Sequence, residues 1–158
     1  MSTVTRTLGL NAAFLQEIKE DNSHLRELLD ATADALSGPL LVRARPQVLA
    51  ELLGRLRDQL AMHFSLEEFF GYFEDAVDAA PHLSANADVL RAQHETLFVA
   101  LCSIVDDAEK LVYGEMSKGT LRRISSRFGK FYEDLRQHEA SENELVMQAL
   151  YEDIGVGD

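Results

Sequence analysis

The chain reads as an all-α protein: an up-down-up-down antiparallel four-helix bundle. Three observations predict this. Apolar residues recur at alternating spacings of four and three along three long segments. Breakers gather at Gly38-Pro39 with Pro46, at Pro81 to Ser84 and at Gly114 to Gly119, cutting the chain into four lengths. No alternating β-branched run marks a strand.

The elements follow in order. A first helix over about residues 10–36 carries Phe14, Ile18, Leu25 and Leu28, with Asp21 and His24 near the edge of its stripe. A second, over about 46–77, begins on Pro46, which suits a first helical turn, and runs Leu49, Leu53, Leu56, Leu60, His63, Glu67, Phe70. Ser84 suits a cap before a third helix over about 84–112, with Leu90, His94, Leu97, Leu101, Ile104, Ala108 and Leu111 on one face. The fourth, over about 118–151, repeats the rhythm in Ile124, Phe128, Phe131, Leu135, His138, Glu142 and Leu145. Short connections then give the bundle. Leu56, Leu60, Leu97, Leu101, Phe131 and Leu135 are expected at its centre.

At 158 residues this is one expected domain, with its core over about residues 10–151. The net charge of −12, with 15 scattered basic residues, predicts a surface that repels nucleic acid and anionic lipid, so neither is an expected partner. The single cysteine, Cys102, excludes an internal disulfide, and its place one position off the third stripe reads as a small buried hydrophobe. The first residues hold no apolar run of signal-peptide length, and no stretch approaches a membrane span. A soluble cytoplasmic protein is the expectation.

The informative residues are polar ones that the rhythm assigns to the core. His63-x3-Glu67 and His138-x3-Glu142 each place an imidazole and a carboxylate one turn apart on one face. His94 lies on the third stripe and His24 beside the first. A buried carboxylate without a partner costs several kcal/mol, and two would rival a domain's whole stability of about 5–15 kcal/mol. No Lys or Arg shares the stripe near them, so a cation is expected. Heights agree. From the turn near residue 116, His94 and His138 are each 22 residues away. Agreement is poorer for the first helix: from the loop near residue 42, His24 is 18 residues back and the middle of the His63/Glu67 pair 23 forward.

Four histidines (His24, His63, His94, His138) and two glutamates (Glu67, Glu142) make a ligand set for two metal ions. Imidazole and carboxylate without thiolate suit iron or manganese better than structural zinc. The Glu-x-x-His motif of ferritin-like proteins is absent, Asp21-x-x-His24 being nearest. His82, in the Pro81-His82-Leu83 turn, is expected in solvent.

The order His, His-x3-Glu, His, His-x3-Glu resembles hemerythrin and the HHE cation-binding domain over about residues 10–150. The resemblance implies two iron ions, oxo- or hydroxo-bridged, with the four histidines as terminal ligands and Glu67 and Glu142 as bridges. It also implies chemistry with dioxygen, peroxide or nitric oxide. The respiratory pattern carries a fifth histidine on the third helix, four residues from the other. Here the neighbours at that spacing are Phe98 and Leu90. Either an extra coordination position is open, or Tyr72, Asp21, Glu20 or Glu68 fills it. Each of these four reads individually as solvated or as a support behind the ligands.

Several functions remain open. A dioxygen binder or sensor needs a dry pocket, for which Phe64, Phe69, Phe70, Phe98, Phe128 and Phe131 are available, although plain core packing accounts for them as well. An enzyme consuming peroxide or nitric oxide would use extra open coordination. An iron store or iron-responsive module, and a metal-free structural bundle, complete the alternatives.

Overall fold

The computed structural model describes the backbone over residues 2–37, 45–69, 72–114 and 118–156, and side chains over 20–37, 45–68, 76–114 and 119–152. Its elements are α1 (Ser2–Ser37), α2 (Pro46–Phe69), α3 (Tyr72–Ala79), a 3-10 turn (Pro81–Leu83), α4 (Ser84–Val112) and α5 (Lys118–Val156). No strand occurs among the described residues.

Cross-contacts fix the sense of packing. Asp21 of α1 meets Gln59 and His63 of α2, while Leu28 and Leu52 line one groove farther along. Gln93 of α4 meets His138 of α5, and Ser103 meets Arg127. Arg26 pairs with Glu139, and Asp30 accepts from Tyr132. In each pair, numbers rise on one helix as they fall on the other. Neighbouring helices therefore run antiparallel, as the four-helix reading expects.

The rhythm accounts for the core. Leu56, Leu60, Leu97, Leu101, Phe131 and Leu135 are all buried, within a cluster that also holds Leu25, Leu53, Ile104, Ile124 and Phe128. A second, smaller cluster packs Ala76, Ala80, Leu83, Ala87, Leu90, Leu145 and Ala149. Leu101 has no exposed surface. Leu101→Ala is expected to cost about 2–5 kcal/mol, read from the urea midpoint of unfolding.

Several boundaries differ from the sequence expectation: α1 begins at Ser2 and not near residue 10, and α5 runs to Val156 and not to about 151. The helix expected over 46–77 is two, α2 and α3, with residues 70 and 71 outside the described set. Ser84 does not cap α4. It is the first residue of that helix, entered from Leu83 without a side-chain cap bond, and its N–H closes the 3-10 turn onto the Pro81 carbonyl. At the far end Gly114 takes φ 79°, the left-handed stop that glycine adopts freely, and donates to the Leu111 carbonyl.

The expected membership of Phe14, Ile18 and Phe70 in the stripe lies outside the described side chains. Cys102 is half-buried and free. No described helix is long and apolar enough to cross a membrane.

Candidate metal centre

Five of the six expected ligands come together between the two apolar clusters. On α4, His94 lies between Leu90 of the smaller cluster and Leu97 of the larger one. On α5, His138 and Glu142 lie between Leu135 and Leu145. On α2, His63 and Glu67 follow Leu60. All five are buried. The i, i+4 spacing puts each His–Glu pair on one face, and the antiparallel packing brings the faces to one height.

Glu67 already bridges. One oxygen lies 2.7 Å from His63 Nε2 and the other 3.1 Å from His94 Nε2. Glu142 Oε1 lies against His138 Nε2 and 3.8 Å from His94 Nε2. Ligand atoms of Glu67, His94, His138 and Glu142 all fall within 4.8 Å of one another.

Every ring turns Nε2 inward and Nδ1 outward, onto an acceptor. His63 Nδ1 donates to Asp21 Oδ2 at 2.6 Å, and Gln59 donates to the other Asp21 oxygen at 2.6 Å. His94 Nδ1 donates to Glu68 at 2.9 Å, and His138 Nδ1 to the Gln93 carbonyl oxygen at 2.7 Å. Holding the proton on Nδ1 leaves the Nε2 lone pair for a cation, an arrangement typical of metal-bound histidine. Phe64 covers the rings, stacked on His94 at 4.0 Å and edge-on to His138 at 5.8 Å.

The donor set fits a cation. With the ring protons held on Nδ1, Glu67 Oε2, His138 Nε2 and Glu142 Oε1 are buried and face lone pairs, so no hydrogen bond among the described residues satisfies them. Asp107 shows the contrast: this buried carboxylate draws Arg127 at 2.8 Å, Arg123 at 3.4 Å and Lys110 at 3.9 Å. The ion pairs of Glu67 and Glu142 run to histidines instead.

Without metal, protons take the cation's place. Burial pulls the His63 imidazole down, but Asp21 and Glu67 outweigh it and hold the pKa up to about 10. Burial likewise lowers His94, and Glu142, Glu67 and Glu68 raise it to about 9. Burial pushes Glu67 up, and bonds from His63 and His94 bring it down to about 2. The His63 contribution to apo-protein stability is therefore complete below its ordinary 6.5 and is lost as pH rises through about 10. The Glu67 contribution is complete above its ordinary 4.5 and is lost as pH falls through about 2. The apo-protein should be most stable between those ordinary values. Metal affinity should rise with pH until the imidazoles have shed their protons. Urea unfolding of the apo-protein and metal titration across this range check both.

His24 stands apart. It is exposed and lines a surface groove between α1 and α2 with Arg55, Asp58 and Met62. Among the described side chains of α1 the buried positions are Asp21, Leu25, Leu29 and Thr32, a face that turns His24 outward. The structure therefore does not bring His24 to the other ligands. Asp21 represents α1 there, behind His63.

Of the residues weighed for the missing fifth ligand, Asp21 and Glu68 are supports behind histidines. Glu20 is exposed, and Tyr72 lies outside the described side chains. Gln59 and Gln93 are supports the sequence reading missed. Their one signal was a neutral polar residue beside the stripe, which is common on any helix. His82 is exposed as expected, though paired with Glu152 of α5. Of the aromatic candidates, Phe64 covers the site, and Phe128 and Phe131 belong to the larger core. Phe98 packs against that core, and Phe69 and Phe70 lie outside the described side chains.

Comparison with curated proteins and with solved structures gives no match. Residues 13–150 match the family described as hemerythrin HHE cation binding domain. That span takes in all four helix segments and every residue of the buried cluster. The chain belongs to the hemerythrin HHE cation-binding family.

Proposed function

We propose that the chain is a non-heme iron protein whose Glu67 and Glu142 bridge two ions and whose centre binds a small oxidant, dioxygen first among them. The observation that carries this is the buried cluster in which three rings face inward on Nε2 while Asp21, Glu68 and Gln93 hold the outer nitrogens. Bound iron would supply open coordination and reversible electron transfer. The chain's own residues do the rest. His63, His94 and His138 present lone pairs, Glu67 and Glu142 balance charge, and Phe64 keeps bulk water from the rings.

A second reading, consumption of peroxide or nitric oxide, is favoured by the outward position of His24 and by Phe98 four residues after His94. Both leave the centre poorer in imidazole and more open. Metal analysis of the purified protein should give about two irons per chain, with an absorption spectrum that changes when the reduced protein meets air. A protein purified from iron-replete cells without iron would overturn the proposal. A lasting, reversible spectral change favours dioxygen binding; turnover of added peroxide favours the enzyme.

A further inference from the structure

His138 is distinctive among the inward-facing histidines: it lines a described cavity. The cavity lies between α4 and α5, has a volume of about 270 Å³, and is walled by Gln93, Thr96, Asp134, Gln137 and Ser141. A second cavity of about 310 Å³ shares Gln93 and Ser141 and continues along the same helix pair past Asn86 and Gln148. The shared residues make the two one trough. At its waist the Gln93 amide stands between solvent and the outer nitrogen of His138. The corresponding acceptors behind His63 and His94 are carboxylates, Asp21 and Glu68.

The chemistry of the walls selects what passes. Amides and hydroxyls share the walls with Leu97, Val89, Leu90 and Leu145, and they give and accept hydrogen bonds as water does. Dioxygen makes no hydrogen bond to these amides and hydroxyls. An anion is repelled by Asp134 and by a chain of net charge −12. A small neutral molecule that both donates and accepts hydrogen bonds can replace the water. We infer that the trough between α4 and α5 is the access route to the centre, that Gln93 is its gate, and that it admits small uncharged hydrogen-bonding solutes of the hydrogen peroxide class. This rests on the iron reading above.

The test uses the iron-loaded, reduced protein mixed with hydrogen peroxide. Two ferrous ions give one electron each, the O–O bond breaks, and two protons complete two waters. Thr96→Trp and Ser141→Trp, both at exposed positions in the trough, should slow the reaction about tenfold or more while iron content and thermal midpoint hold. Met62→Trp, in the α1–α2 groove, should leave the rate unchanged. Wild-type rates in both trough variants would overturn the route.

A second measurement needs no variant and no turnover. In zinc-loaded protein with ¹⁵N-labelled histidine, the His138 Nδ1–H should exchange with water about tenfold or more faster than the His63 Nδ1–H, whose acceptor is buried. Equal rates would overturn the gate even if the tryptophan variants lose iron. Asp134→Asn should speed azide binding to the ferric protein roughly two- to threefold and leave the peroxide rate alone. An unchanged azide rate overturns the selection against anions. A protein that takes up no iron overturns the iron reading itself, which the metal analysis shows separately.

Discussion

Glu67→Ala is expected to lower metal affinity by more than about 100-fold, beyond the roughly 10–100-fold that loss of an outer partner costs. Glu67 is the group that His63 and His94 share, at 2.7 and 3.1 Å through different oxygens. Its removal takes both the bridge and a negative charge from a site between two apolar clusters. The apo-protein should still fold. His63 and His94 keep raised pKa values partly because Glu67 faces them, and without it they can give up their protons instead of remaining buried charges. Competition titration against a chelator measures the affinity, and circular dichroism the fold. Retention of two tightly held ions by the variant would refute the bridging role.

The second large effect separates two neighbours on α1. Asp21→Ala should cost roughly 10–100-fold in metal affinity, because His63 loses the acceptor that fixes its ring and its proton. Gln59, which also bonds Asp21, would lose its partner as well. His24→Ala should leave affinity unchanged, since that imidazole lies in the surface groove. The same chelator competition reads both variants. The opposite pattern would restore His24 as a ligand and place α1 in a different rotation when metal is bound.

Most of the bundle was legible because three stripes keep one rhythm for many turns. The buried cluster was legible because His63, Glu67, His94, His138 and Glu142 interrupt those stripes where only leucine or phenylalanine is otherwise found. On α1 the structure turns His24 outward and buries Asp21, for a definite reason. Asp21 and His24 are three residues apart near one edge of a broad stripe, and a rotation smaller than one residue's turn decides which is buried. Residue type favoured histidine; packing favoured Asp21, which continues the face of Leu25 and Leu29. The division into α2 and α3 was hidden for another reason. The apolar rhythm runs on through Phe70, and Gly71 is the sole breaker between the two helices. The outer partners were hardest, because a glutamine beside a stripe becomes informative only when the facing helix supplies a histidine.

The unequal apolar clusters make the cation a keystone. The larger cluster is built mainly of leucines and phenylalanines, whose side chains bury much apolar surface. Among the described side chains the smaller holds four alanines, which bury little, and three leucines, and it fastens α3, the 3-10 turn and the far part of α5. The expected ligands on α2, α4 and α5 lie on the boundary between these two clusters. Emptying the site should therefore loosen one end of the molecule while the other stays folded. Metal content becomes a difference in susceptibility: amides of α3 should exchange faster, and proteases should cut there first, in the protein stripped of metal.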